Sequence, residues 1–67
     1  MGLPENLKAL RKSKGFSQRV LSEKSQVSYS MVSKLESGEQ KNPSLETLEK
    51  IASALDVDAS RLLDGED

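Results

Sequence analysis

Residues 17–38, SQRVLSEKSQVSYSMVSKLESG, hold two short helical periods separated by a polar break. In the first, Ser17 is a good N-cap and Val20 and Leu21 supply apolar contacts in a helix running to about residue 24. Ser25 and Gln26 then interrupt the pattern. Ser28 can cap a further helix, 28–37, that carries Val32 and Leu35 inward and stops at Gly38, a favoured residue just past a helix end. Two helices joined by about three residues must cross steeply, so the second projects from the body. Advancing roughly 100° per residue from Tyr29 puts Ser30, Ser33, Lys34 and Ser37 with it on one arc of about 140°. Val32, Leu35, Ser28, Met31 and Glu36 fall on the other. The outward row is an aromatic, hydroxyls and an ammonium, where an ordinary solvated face would mix Glu with Lys. Such groups can press against a surface rich in mixed donors and acceptors, and a duplex major groove is one. The plainer reading is an exposed face on which serines happen to be common.

Outward from this stretch the chain stays helical. Between residues 3 and 14, Leu3, Leu7 and Leu10 share one side while Lys8, Arg11, Lys12 and Lys14 crowd the other; Pro4 suits the first turn and Gly15 ends the helix. Residues 39–43 hold Asn and Pro and no apolar side chain, which reads as an exposed loop. Ser44 restarts a helix in which Leu45, Leu48, Ile51, Ala52 and Leu55 repeat at the spacing of a buried stripe. Asp58 can cap a last short helix holding Leu62 and Leu63, and residues 64–67 form a polar tail. The expected fold is all-α: one domain over 1–67, with helices near 4–14, 18–24, 28–37, 44–55 and 58–63.

Size and composition narrow the function. A chain of 67 residues suits one small domain, which buries only about 60% of the surface its unfolded form exposes. With no cysteine and no histidine, disulfides and the usual zinc sites are excluded, so no metal and no cofactor is expected. Serine nucleophiles lack a histidine base, Glu46 and Glu49 look like a solvated helix face, and no glycine-rich phosphate cradle occurs, so catalysis is not expected. No apolar run approaches the roughly 20 residues that span a bilayer, which makes a soluble cytoplasmic protein without membrane partners the default. The net charge of −1 hides an asymmetry. Up to Lys41 there are eight cations against four acids; from Asn42 onward there are two against seven. The cationic end suits a polyanion, although small soluble domains also show such unevenness by chance.

The run from Ser17 to Val57, with LKALRKSKGF before it and ASRLL after it, resembles the Cro/C1 (XRE-like) helix-turn-helix, the DNA-binding domain of phage and bacterial repressors. The residues carrying the resemblance are Arg11, Ser17, Gln18, Leu21, Val27, Val32, Leu35, Glu36, Gly38, the run NPSLETL from 42 to 48, Ala54 and Leu55. The resemblance implies a five-helix, lambda-repressor-like domain whose second and third helices form the helix-turn-helix. It implies that the third helix lies in the major groove, with Tyr29, Ser30 and Lys34 at base-contacting positions and Ser28 and Ser33 as secondary contacts. Lys34 suits guanine O6 or N7, and the Tyr29 ring suits a thymine methyl with its hydroxyl against a phosphate. Gln18 is similar to a phosphate-binding glutamine, Ser37, Lys41 and Asn42 would meet the same backbone, and Arg19 joins them as part of the general cationic field. Arg11 and Glu36 look like a charge pair that orients the Arg toward a phosphate, or else a plain ion pair without function.

Three positions depart from the family pattern. Ser22 adds a hydroxyl that must find a backbone partner; Ser25 stands where an apolar residue is usual, for which Val20 could compensate; Gln26 takes the place of a turn glycine. The implied function is a sequence-specific double-stranded-DNA-binding transcriptional repressor, acting as a homodimer on a palindromic operator because one recognition helix covers too few base pairs. Val57, Leu62 and Leu63 hint at the dimer surface, although burial within the monomer core is the plainer reading for at least half of them. The alternative is a protein-interaction module of the same fold, an antitoxin or an adaptor, with a protein partner on the acidic C-terminal third.

Overall fold

The computed structural model describes residues 2–63; the tail at 64–67 lies outside the described residues. Five helices follow in order: α1 (Leu3–Ser13), α2 (Gln18–Ser25), α3 (Tyr29–Ser37), α4 (Leu45–Ala54) and α5 (Ala59–Leu63), with no strand among the described residues. The starts are set by side-chain caps: Ser17, Ser28 and Ser44 each stand just before a helix and accept from the backbone N–H three residues on. At α1 the Glu5 carboxylate accepts from the Gly2 N–H (3.1 Å), and Pro4 sits in the first turn. At Asp58 the bond recorded is a backbone one, from Arg61 N to the Asp58 carbonyl (2.9 Å).

The ends are chemical too. α1 closes with Gly15 N bonded to Lys12 O and Phe16 N to Arg11 O, a Schellman arrangement in which Gly15 takes φ 75°. α4 closes the same way, Asp56 N to Ser53 O and Val57 N to Ala52 O, but with Asp56 in the left-handed position at φ 60°. Nothing in the sequence reading marked Asp56. Its short polar side chain tolerates this region better than most others.

α1 packs on α3 and α5, α2 on α3 and α4, and α4 on α5, so α3 is seated between the first two helices with α4 and α5 behind. Leu7, Leu21, Val32, Leu35, Ile51, Leu55 and Leu62 are fully buried. Each such side chain contributes about 1.5–3 kcal/mol of transfer free energy. Asn6, itself buried, donates from Nδ2 to the Leu62 carbonyl (3.0 Å) and ties α1 to α5.

Two apolar expectations need correction. Leu45 is 65% exposed rather than part of the α4 stripe. It is the first residue of its helix and lies roughly 70° from the mean direction of Leu48, Ile51, Ala52 and Leu55. Val20 is half-exposed and outside the core cluster, so α2 seats through Leu21 alone and nothing apolar replaces the residue missing at 25. Leu63 is exposed, since it is turned about 100° along the helix from the buried Leu62. Leu62 is fully buried and Val57 packs against the core, as the core reading has it for these two, while Leu63 is left exposed. Among the described residues no helix is long and apolar enough to cross a membrane.

Candidate nucleic-acid interface

The turn between α2 and α3 is laced by serine hydroxyls. Ser22 donates to the Val27 carbonyl (2.6 Å), and Ser25 Oγ accepts from Val27 N–H (3.2 Å). Gln26 takes φ 61° and bonds its N–H to Ser22 O (2.9 Å). Buried Val27 plugs the corner. The two serines that depart from the family pattern therefore both anchor Val27, the middle residue of the corner. Neither could be assigned a partner from spacing alone, since both bonds depend on the turn being closed.

Behind α3 lies a buried carboxylate. Glu36, with 2% of its side chain exposed, accepts from Arg11 Nε (2.6 Å), Arg11 Nη2 (3.0 Å) and Gln18 Nε2 (3.0 Å). Arg11 also donates from Nη1 to the Phe16 carbonyl (2.8 Å) and is 11% exposed. The hydrogen bond to Glu36 holds the guanidinium above its ordinary pKa, against the opposing pull of burial. One carboxylate thus joins α1, α2 and α3 and fixes how α3 is presented. Three of the five Arg11 donors point inward. Gln18 keeps one amide N–H and its carbonyl oxygen outside this bond.

On the open side the row stands as the helical periodicity places it: Tyr29 (50% exposed), Ser30, Lys34 and Ser37 are exposed and Ser33 half-buried. Lys34 has no carboxylate partner among the described residues. Ser28 is exposed, with its oxygen engaged as the α3 cap. Ser37 is tied locally, donating to Lys34 O (3.1 Å) and accepting from Glu39 N–H (3.2 Å). Lys41 and Asn42 are exposed in the following loop, where Asn42 N–H bonds Gln40 Oε1 (3.0 Å). Arg19, treated from the sequence as general field, lays its guanidinium over the Tyr29 ring with Cζ 5.7 Å from the centroid. Ten residues and a turn separate these two, so no local pattern signals the contact. Among the described residues no group of three or more acids could hold a metal ion.

Two helices across a three-residue corner, the second seated on a buried carboxylate and turning a row of small polar, aromatic and cationic groups outward, define a helix-turn-helix module. The chain belongs to the helix-turn-helix family, whose profile matches residues 7–62. It is 43% identical over 60 residues to the HTH-type transcriptional regulator SinR of Bacillus subtilis (strain 168), covering 90% of this chain and 54% of that protein. It is 41% identical over 63 residues to SinR of Bacillus licheniformis, covering 94% and 57%. The chain therefore spans about half the length of the curated relatives it matches. Among solved structures it is similar to the SinR protein/SinI protein complex (TM-score 0.90, 41% identity, 94% of this chain and 61% of that one). It is likewise similar to SinR, the master regulator for biofilm formation, in complex with DNA (TM-score 0.87, 40% identity, 90% and 95%).

Proposed function

We propose that this chain is the sequence-specific, double-stranded-DNA-binding module of a cytoplasmic transcriptional repressor, and that it sets α3 in the major groove. The observation that carries the reading is the two-sidedness of α3: Val32, Leu35 and Glu36 are locked into the body while Tyr29, Ser30 and Lys34 face outward without a covering segment. Similarity to SinR in complex with DNA, over 95% of that chain, supports it. In this reading Lys34, which has donors only, reads guanine, and Ser30, Ser33 and Ser28 make adaptable contacts. Gln18, Arg19, Lys41 and Asn42 meet the phosphate backbone, with the unpaired N–H groups at the start of α2 beside them. Arg11, largely enclosed, and Ser37, exposed but bonded locally to Lys34 O and Glu39 N–H, act on the duplex chiefly by holding α3 and its following loop in place.

One recognition helix spans few base pairs, so the repressor acts as a homodimer on an inverted repeat with half-sites about one helical turn apart. The similarity to SinR in its complex with SinI supports a protein partner as well. The test is selection of bound sequences from a pool of random duplexes at low salt. Enrichment of an inverted repeat is expected, and enrichment of nothing would overturn the proposal. On the selected duplex, Lys34→Ala should relax preference at one base position at a cost of about 1–3 kcal/mol. A loss spread equally over all sequences would refute the role given to Lys34.

A further inference from the structure

Arg11 and Arg19 both belong to the segment that presents α3, and their surroundings differ. Arg11 is enclosed and bonded to Glu36 and Phe16. Arg19 is exposed, and among the described residues no hydrogen bond or ion pair engages its guanidinium. Its contact is with the Tyr29 ring, whose centroid lies 5.7 Å from Cζ. A guanidinium lying over an aromatic face is attracted by the ring quadrupole and keeps its in-plane N–H donors available. Arg19 is the second residue of α2, where a cation opposes the helix dipole, so local helix preference does not account for it. The ring that receives it opens α3, so the contact bridges the two helices that must act together.

We propose that Tyr29 is a positioning residue for Arg19: its ring holds the guanidinium's planar fork toward a backbone phosphate at the lip of the groove. This rests on the DNA-binding reading above and changes the part Tyr29 plays in it. One face of the ring is occupied by a cation, so Tyr29 adds affinity through Arg19 rather than choosing a base. The phosphate is the partner of choice because Arg19 projects from the start of α2, the helix that crosses the backbone in this motif, and because a guanidinium fork matches two phosphate oxygens.

The experiment measures binding of the whole chain to the duplex that wild type selects, by fluorescence anisotropy at several salt concentrations. Variants are R19A, Y29A, the double variant and Y29F, each with far-UV circular dichroism as a fold control. R19A and Y29A should each weaken binding about tenfold, and the double variant by about the same factor instead of about a hundredfold. Both single alanine variants should lower the slope of log K against log salt by about one and leave base preferences unchanged. Y29F keeps the ring and should bind like wild type. Multiplying losses, a change of preference at one base position in Y29A, or a Y29F as weak as Y29A would each overturn the proposal. Those outcomes leave the DNA-binding reading standing; it fails separately, if wild type selects no duplex.

Discussion

Replacing Glu36 by Ala tests the joint on which α3 rests. The change removes three hydrogen bonds, from Arg11 Nε and Nη2 and from Gln18 Nε2, and leaves a guanidinium that is only 11% exposed without its counter-ion. Breaking one partner out of a buried pair costs about 3–5 kcal/mol. Arg11 retains its bond to the Phe16 carbonyl and some solvent access, which places the loss near the lower end, at about 3 kcal/mol. A domain of this size unfolds in urea with a slope of about 1 kcal/mol/M, so the midpoint should fall by about 3 M. Far-UV circular dichroism against urea measures this directly. Because salt screens buried charges poorly, the difference from wild type should persist in 1 M NaCl, at about the same size. The exposed Lys50–Glu46 pair is the contrast, since Lys50→Ala should cost less than about 0.5 kcal/mol. The double variant Arg11→Met/Glu36→Leu should recover most of the lost stability, because it removes both charges and leaves neither stranded. A midpoint shift under about 0.5 M for Glu36→Ala would refute the claim that this carboxylate holds the three helices together.

Three further outcomes follow from particular residues. Leu62→Ala should destabilise by about 2–5 kcal/mol while Leu63→Ala stays within about 0.5 kcal/mol, since the first side chain is fully buried and the second 58% exposed; thermal unfolding of the two variants decides it. Gln26→Gly should raise stability by about 0.5–1 kcal/mol, because glycine takes φ 61° without a Cβ penalty; a lower thermal midpoint would show that the Gln26 side chain matters more than the strain. Backbone hydrogen bonds from its own N–H and from Gly2 hold the Glu5 carboxyl below its ordinary pKa. A lowered folded value means that its contribution is present above the unfolded pKa and is lost as pH falls through the folded one. Glu5→Gln should therefore flatten the acid side of a stability-against-pH curve below about pH 4.5, and an unchanged acid limb would contradict this.

Local chemistry made much of the fold legible. Serine before each of three helices, proline in a first turn and glycine at two helix ends act within one turn of chain, so their meaning survives without knowing the neighbours. The same holds for α3: a period of 3.6 residues set Val32 and Leu35 against Tyr29, Ser30 and Lys34, and burial follows that division. Periodicity gave less help at the ends of elements. Leu45 carries the right residue type, but as the first residue of α4 it lies about 70° off the buried stripe and stays 65% exposed.

The sequence by itself therefore determined five helices, the serine caps of three of them, a corner of about three residues between the second and third, and which side of α3 turns outward, all of which are governed by interactions a few residues long. Tertiary structure alone decided what those side chains do. It brought Gln18 onto the Arg11–Glu36 pair that the family resemblance already implied, laid Arg19 on Tyr29 and anchored Asn6 to Leu62. Partners 10, 18, 25 and 56 residues apart meet only after the helices have docked, and the angle at which they dock is set by the packed core as a whole. One guanidinium of the N-terminal half is thereby enclosed against a carboxylate and another left exposed over a ring, a difference that helical periodicity does not carry.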